Sequence, residues 1–249
     1  LLIGQTWAIV MSLISGQQAA STGMNGYGAL YHDRAAQIRL TFGGLKIGFL
    51  TPNVANNVIA TNDVDITLPK IELAYRFATD MFWVEPYLGY QTYDVQYSTA
   101  SSTASVTSTI YGIKGSVNFG PAFVSLSFTG GTNPGNYGLY GDSTTTGFGK
   151  MANVSGTGQV TDWDYMEYMI NAGFKFSDMI SAEAGYGQQT NEITLAGVKT
   201  EDPRMAYYIN VPITLAPGVL LIPEYSLFSE DDVTVGGVAT DQTETTYIG

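Results

Sequence analysis

Large apolar residues stand at every second position between Ile71 and Phe77, where the chain reads Ile-Glu-Leu-Ala-Tyr-Arg-Phe. A period of two is typical of a β-strand with one apolar face. Similar segments return about every twenty residues, and tight turns such as Gly43-Gly44, Thr79-Asp80 and Ala216-Pro217-Gly218 join them in pairs. Each segment has about the length with which a tilted strand crosses a bilayer, so the pattern predicts an all-β transmembrane antiparallel β-barrel.

The composition agrees with a barrel and excludes several other classes. Only 13 % of the residues are charged and the mean hydropathy is +0.06, which is typical neither of a disordered chain nor of a helical membrane protein. The chain carries 17 Tyr and 11 Phe, and such rings anchor barrels at the two membrane interfaces. A net charge of -12 argues against a nucleic-acid partner, and the absence of cysteine excludes disulfides and thiolate metal sites.

Twelve segments fit the strand pattern, and their connections alternate between short turns and longer polar loops. The segments cover residues 1–11, 34–42, 45–52, 68–77, 82–95, 106–118, 121–130, 164–176, 179–190, 203–214, 218–228 and 244–249. Short turns lie on the periplasmic side of such barrels, so odd segments run outward and even ones return. Residues 1–249 are then one barrel domain in the bacterial outer membrane, surrounded by lipid and lipopolysaccharide. Because both termini fall inside alternating segments, we expect further strands before residue 1.

One parity of the strands is apolar and the other carries the charges. The parity predicted to face lipid holds Phe49, Leu73, Tyr75, Leu88, Val117, Leu126, Phe174, Ile209, Val211 and Leu221. The opposite parity holds Lys175, Glu183, Arg204, Glu224 and the candidate pore-lining residues Arg39, Lys46, Lys70, Glu72, Arg76, Glu85 and Lys114. A base facing lipid near the midplane would cost about 2–4 kcal/mol, so this separation predicts a polar, water-filled lumen.

Three stretches carry a resemblance to a known family. They are Gly4-Gln5-Thr6-Trp7 before a Gly/Ser-rich loop, Arg34-Ala35-Ala36-Gln37-Ile38-Arg39-Leu40-Thr41-Phe42, and Leu221-Ile222-Pro223-Glu224-Tyr225. Together with the pattern over most of the chain, they resemble the DcaP-type trimeric porins. The chain departs from that family in lacking the N-terminal strands and the terminal aromatic residue. The resemblance implies a homotrimer of barrels with about sixteen strands, about twelve of which are visible here.

The resemblance also implies a constriction. In such porins the third external loop folds into the lumen and narrows it, and residues 12–33 fall at that loop. The parity of the segments independently makes it an external loop in any even-stranded barrel. The candidate constriction residues are Gln17, Gln18, Asn25, Tyr27, Tyr31, His32 and Asp33. The alternative is an ordinary exposed surface loop.

Basic residues are concentrated on the three strands that follow this loop. They are Arg34, Arg39, Lys46, Lys70 and Arg76. Opposite an inward-folded loop they would create a transverse field that favours anions. Glu72 and Glu85 occupy neighbouring lumenal positions, so a purely structural ladder of cross-strand salt bridges is an equal alternative.

The remaining motifs offer little chemistry. His32 is the only histidine and has no serine near it in the pattern of a barrel lipase, so we predict that the protein is not an enzyme. One histidine without cysteine cannot supply a tetrahedral metal site, and we predict neither metal nor cofactor. The run Glu230-Asp231-Asp232 could offer carboxylates to a divalent cation but is more often a solvated loop tip. The glycine-rich segment 131–163 is either an inward-leaning lid or, more often, a variable surface loop.

These patterns predict an outer-membrane porin for passive diffusion of small hydrophilic solutes, with a mild preference for anions. The alternative is a non-transport barrel that acts as a scaffold or sheath for a partner such as a multihaem cytochrome. The paired charges on the inner face favour the channel. We also expect Gly4, Thr6 and Ala8 on the outer face of the first segment, where small residues let neighbouring barrels approach, with Trp7 pointing inward.

Overall fold

The computed structural model describes residues 1–18, 23–32, 34–54, 63–96, 103–139, 150–155, 158–230, 233–240 and 243–249. Its elements are β1 (Leu2–Trp7), β2 (Arg34–Phe42), β3 (Leu45–Leu50), β4 (Asp63–Asp65), β5 (Lys70–Tyr75), β6 (Phe77–Ala78), β7 (Phe82–Gln96), β8 (Thr103–Phe119), β9 (Ala122–Thr132), α1 (Pro134–Tyr137), β10 (Asn153–Val154), β11 (Val160–Thr161), β12 (Asp164–Lys175), β13 (Ser181–Leu195), β14 (Val198–Asn210), β15 (Ile213–Ala216), β16 (Val219–Leu221), β17 (Glu224–Glu230), β18 (Val233–Val235), β19 (Val238–Thr240) and β20 (Glu244–Ile248). Within these ranges no helix is long and apolar enough to cross a membrane.

Twelve of these strands pair antiparallel with their neighbours in chain order. The order is β1-β2-β3-β5-β7-β8-β9-β12-β13-β14-β17-β20. Strands β4 and β6 add to β7, β18 and β19 extend β14, and β10-β11 and β15-β16 are separate small pairs. The twelve predicted segments correspond one to one with this path. In the described residues β1 pairs only with β2 and β20 only with β17, so both outer edges are unpaired and the sheet is not closed.

Several segment boundaries were predicted wrongly. The predicted segment 218–228 divides into β16, which pairs with β15, and β17, which pairs with β14. Two further differences have a clear physical cause. The first strand ends at Trp7 rather than at residue 11, because the backbone N–H groups of Ile9 and Val10 turn to the carboxylate of Glu72. The ninth and tenth segments are joined by a tight turn at Ala196 and Gly197, with φ of 49° and 82°, where a longer loop was expected. Left-handed φ at both central positions matches the twist of a two-residue hairpin, so the strands continue to the turn.

The predicted parity of the strands is confirmed by burial. Nine of the ten residues assigned to lipid are exposed on the outer face, and Val211 is partly exposed. Tyr90 and Tyr111 lie toward the loop end of that face, whereas Phe82 and Phe119 lie beside the short turns. The outer face thus carries two aromatic belts, as expected at the two interfaces of a bilayer.

The orientation of the first strand was predicted wrongly. Gly4 lies opposite Gln37, which is buried on the inner face, and Trp7 lies opposite Arg34. Trp7 therefore shares the outer parity with Ile3 and Ile38, both of which are exposed. Because side chains alternate strictly along a strand, the small residues of β1 face inward and do not form an outer contact surface.

Candidate pore constriction

Residues 8–33, which connect β1 to β2, are called loop A, and their described part lies against the inner face of the sheet. Ala8, Ile9, Val10, Met24, Ala29 and Leu30 are all buried. Loop A meets β5 at Glu72, β8 at Lys114, β12 at Asn171, β13 at Glu183, β14 at Asn210 and β17 at Glu224. Because one short segment reaches strands from β5 to β17, the sheet must curve around it.

Two carboxylates of the sheet bind residues 16–18 of loop A. The backbone N–H of Gly16 donates to Glu183 Oε1 at 2.7 Å, and the backbone N–H of Gln18 donates to Glu224 Oε2 at 2.8 Å. The side chain of Gln17 donates to Glu224 Oε1 at 3.0 Å, and Asn210 donates to the Gly16 carbonyl at 2.9 Å. The main chain, more than the side chains, attaches loop A to this side of the sheet.

The second half of loop A packs on the same strands through an aromatic ring and a glycine. The ring of Tyr27 meets Phe228 edge-on at 4.9 Å, and its hydroxyl donates to Glu230 at 3.4 Å. Burial, together with the charge of Glu230, raises the pKa of Tyr27 to about 12. A Cβ on Gly28 would lie 2.5 Å from the Tyr168 carbonyl oxygen and 2.6 Å from the Gly187 Cα, so only glycine allows this approach.

A second inward segment was expected as a surface loop. Residues 133–163, which connect β9 to β12, are called loop B, and the described part of loop B begins with α1 under the sheet's inner face. Tyr137 and Leu139 are fully buried, and Asn136 receives a 2.7 Å hydrogen bond at its carbonyl from Gln91 and donates to the Tyr93 hydroxyl at 2.9 Å. The polar side chains of β7 satisfy the backbone of α1, which makes its burial possible.

The two loops meet at Lys70 and Glu72, two residues of β5 that are 1 % and 0 % exposed. Lys70 Nζ lies 2.7 Å from His32 Nε2 of loop A and donates to the Tyr137 carbonyl of loop B at 2.5 Å. Glu72 accepts from Ile9 N of loop A at 2.6 Å and from the Tyr137 hydroxyl at 3.0 Å. Lys70 and Glu72 have the predicted lumenal parity, but both loops cover them, so they join the loops and do not line open water.

Glu85 of β7 is the centre of a second charged cluster, whose bases come from β3, from β8 and from the residue after β5. The carboxylate is 2 % exposed and lies 3.0 Å from Lys46 Nζ, 3.1 Å from Lys114 Nζ and 3.9 Å from Arg76 Nη1. The side chains of Lys46 and Arg76 are 31 % and 43 % exposed, and the Arg76 guanidinium stacks 4.0 Å from the ring centre of Trp83. Three bases around one carboxylate leave a local excess of positive charge facing solvent.

Arg39 lies on the predicted inner face, but its guanidinium is engaged by the protein. It donates to the Trp7 carbonyl, where the chain leaves β1, and to Gln37 Oε1 at 3.0 Å. These contacts are hydrogen bonds and not the cross-strand salt bridges that were the alternative for this face, and they support the start of loop A.

The other constriction candidates have different surroundings. Gln17, Tyr27 and His32 are buried against the sheet, Asn25 is partly buried, Tyr31 packs edge-on against Trp7 at 5.6 Å, and Asp33 lies outside the described residues. Asp231 and Asp232 also lie outside them, and Glu230 pairs with Arg204 at 2.9 Å. The described residues contain no group of three or more His, Cys, Asp or Glu that could hold a metal.

Sequence reasoning missed the role of inner-face glycines. A Cβ on Gly89 would lie 2.1 Å from the Tyr137 hydroxyl, and a Cβ on Gly48 would lie 2.9 Å from the Ile9 side chain. Glycine within a strand often marks the close approach of another backbone or ring. Glycines on the charged parity were therefore the available signal that loops A and B fold inward.

Comparisons with known proteins agree on the architecture. No protein-family model matches the chain, and no curated protein gives a significant match. Among solved structures, the chain is similar to the outer membrane channel DcaP of Acinetobacter baumannii, with a TM-score of 0.67 and 12 % identity over 99 % of this chain and 68 % of that one. It is also similar to the outer-membrane expressed OmpT of Vibrio cholerae, with a TM-score of 0.56 and 14 % identity over 98 % of this chain and 72 % of that one.

A second OmpT structure, folded in vitro, gives a TM-score of 0.55 at 13 % identity over 98 % of this chain and 71 % of that one. At such identities the similarity shows the fold, which is the antiparallel β-barrel of outer-membrane proteins. The predicted fold class is confirmed, and the predicted resemblance to the DcaP channel is confirmed at the level of that fold.

Proposed function

We propose that the chain is a porin of the bacterial outer membrane, through which small hydrophilic solutes diffuse passively. The observation that carries the proposal is the position of loop A, which lies inside the curved sheet and contacts strands from β5 to β17. A segment across the inside of a barrel narrows the path for solutes and brings its walls close to them. Gln17, Asn25, Tyr27, Tyr31, His32 and Asp33 remain the proposed constriction residues.

The unpaired edges of β1 and β20 bear on assembly. In a bilayer each unsatisfied backbone group costs several kcal/mol, so a stable barrel needs a partner strand at both edges. We propose that further strands complete a barrel of about sixteen. A homotrimer surrounded by lipid and lipopolysaccharide is part of the same proposal, although β1 does not supply the small-residue contact surface that we expected for it.

The proposed selectivity is a mild preference for anions. Lys46 and Arg76 keep solvent access beside Glu85, and the next strand adds Lys114. At a few ångströms, one such charge is worth about 1–4 kcal/mol to a passing carboxylate, depending on how much water screens it. This is enough to bias a diffusion channel without binding the solute tightly.

The proposal includes no catalytic step. The buried His32 lies 2.7 Å from Lys70 Nζ and 3.9 Å from Glu72 Oε1, where loops A and B meet, and this position supports a structural role. The sheath alternative is disfavoured by loops A and B, which occupy the space against the inner face that a housed partner would need.

Planar-bilayer recordings of the purified full-length protein test this function. We expect stepwise conductance, and in a tenfold salt gradient a reversal potential on the anion-selective side. Absence of conductance from correctly folded, heat-modifiable protein would contradict the channel. A cation-selective reversal potential would contradict the anion preference assigned to the bases but not the channel itself.

A further inference from the structure

On the acidic side of the lumen, the carboxylates of Glu183 and Glu224 accept hydrogen bonds from the backbone of loop A. Each carboxylate accepts one backbone N–H of the loop, from Gly16 at 2.7 Å and from Gln18 at 2.8 Å. Both bonds join residues more than 160 positions apart in the sequence, so they are purely tertiary contacts. An ionised acceptor makes a shorter and roughly twofold stronger hydrogen bond than a neutral one.

Neighbouring side chains orient both carboxylates before they meet the loop. Asn171 donates to Glu183 Oε1 at 2.9 Å, and the Tyr208 hydroxyl donates to the same oxygen. Ser226 donates to Glu224 Oε1 at 2.5 Å, and Asn210 donates to Glu224 Oε2 at 3.3 Å. A partly buried acceptor held in place by its own strand loses little freedom when it binds the loop.

Loop A is also fixed at its beginning, directly after β1, where the backbone N–H groups of Ile9 and Val10 donate to Glu72 Oε2 at 2.6 Å and 3.1 Å. Only residues 11–15 separate this attachment from Gly16. Five residues span at most about 18 Å when fully extended, so the intervening chain cannot move far while both ends are held. The loop can leave its place only if one attachment breaks.

We infer that Glu183 and Glu224 are positioning residues that hold loop A across the channel. A low rate of fluctuations in the open-channel current therefore depends on their negative charge. This inference rests on the proposed channel function. It assigns to two acidic residues a role in holding the constriction, distinct from any contact with the solute.

The test compares two double variants in single-channel recordings. Glu183→Gln with Glu224→Gln keeps the size of both side chains but removes the charge that the backbone N–H groups bind. The matched control is Glu192→Gln with Glu201→Gln, which changes the same residue type on β13 and on its neighbour β14, near their exposed end, where both carboxylates pair with Lys199. We expect the first double variant to show at least a several-fold rise in the rate of current fluctuations, and the control to match the wild type.

A crosslink separates loop motion from other causes of noise. The chain contains no cysteine, so Gln17→Cys with Ser226→Cys introduces a unique pair at two side chains that both donate to Glu224 Oε1. Added to Glu183→Gln, oxidation of this pair should restore quiet current, and reduction should bring the fluctuations back. If the double glutamine variant does not fold, the single variants Glu183→Gln and Glu224→Gln carry the comparison with smaller rises.

The outcomes are distinguishable. A channel that conducts normally but keeps wild-type fluctuations in the glutamine variants would overturn the inference, as would fluctuations that the crosslink leaves unchanged. A wild-type protein without conductance would instead overturn the proposed function.

Discussion

The two halves of the inner face carry opposite charge and use it differently. The inner face of β2, β3, β5, β7 and β8, called the basic wall, holds Arg39, Lys46, Lys70, Arg76 and Lys114 against Glu72 and Glu85. The inner face of β12, β13, β14 and β17, called the acidic wall, holds Glu167, Glu183, Asp202, Glu224 and Glu230 against Arg204 and Lys175. A solute between the walls would experience a transverse field.

The walls differ most in what their charges touch. On the acidic wall, Glu183, Glu224 and Glu230 bind loop A, and Asp202 pairs with Lys150 of loop B. On the basic wall, Lys46 and Arg76 contact Glu85 and retain much of their exposure. Charge near a channel therefore does not by itself indicate selectivity, because a carboxylate engaged by a loop presents less of its field to a passing ion.

The largest effect on the basic wall is expected from Glu85→Gln. Removing this carboxylate leaves Lys46, Lys114 and Arg76 facing one another without a counter-charge. We expect a loss of about 3 kcal/mol in the free energy of unfolding, the lower end for a broken buried pair because two of the bases are partly exposed. Denaturant unfolding in detergent measures it. The control Glu201→Gln, which breaks an exposed pair with Lys199, should cost much less because solvent screens that pair, and an equal cost for both variants would contradict the difference in burial.

On the acidic wall, Gly28→Ala should displace loop A. The residue has a φ of 110°, and the added Cβ would meet backbone atoms of β12 and β13 at 2.5 Å and 2.6 Å. Strain of about 1–3 kcal/mol should move the loop inward or release it, and so change the unitary conductance. Gly43→Ala is the control, because Gly43 also has a positive φ but no atom within 4 Å of the new Cβ. Identical conductance in the two variants would show that loop A does not depend on this approach.

The difference in selectivity between the walls is tested by Arg76→Glu. Glu85 keeps Lys46 and Lys114 as partners, so the variant reverses one exposed charge without orphaning the carboxylate. We expect the reversal potential to move toward cation preference, by a few-fold in permeability ratio if one charge is worth roughly 1 kcal/mol. Arg39→Glu should move it in the same direction but less, because that guanidinium is bound to the Trp7 carbonyl. A larger shift from Arg39→Glu would reassign the main basic residue.

The smallest expected effect is a loss of folding stability at alkaline pH. Burial raises the pKa of Tyr27 to about 12, above the value near 10 of an unfolded tyrosine. The protonated phenol thus contributes stability that is fully present below pH 10 and is lost as the pH rises from 10 toward 12. Unfolding midpoints measured across this window should fall less steeply in Tyr27→Phe than in the wild type. Tyr75→Phe, on the exposed outer face, should follow the wild type; parallel curves for all three proteins would contradict the contribution of Tyr27.

Strand positions and faces were predictable, because they depend on a local period. Side chains alternate between the two faces of a strand, so the identity of neighbours such as Glu72 and Leu73 sorts them without knowledge of the fold. The inward position of loop B was not predictable in the same way. Its contacts with Gln91 and Tyr93 of β7 join residues 45 and 43 positions apart in the sequence, and the only local sign of them is a glycine such as Gly89 on the charged parity.

The sequence by itself determined that the charged residues of the strands share one face, since the alternation places them there and lipid excludes them from the other. It did not determine which of these charges face water. Lys70 and Arg76 have equivalent parity, yet Lys70 is covered by both loops and Arg76 is 43 % exposed. Only the tertiary structure decided this, because the cover comes from loops that attach across the curved sheet through backbone N–H groups, which every residue except proline offers alike.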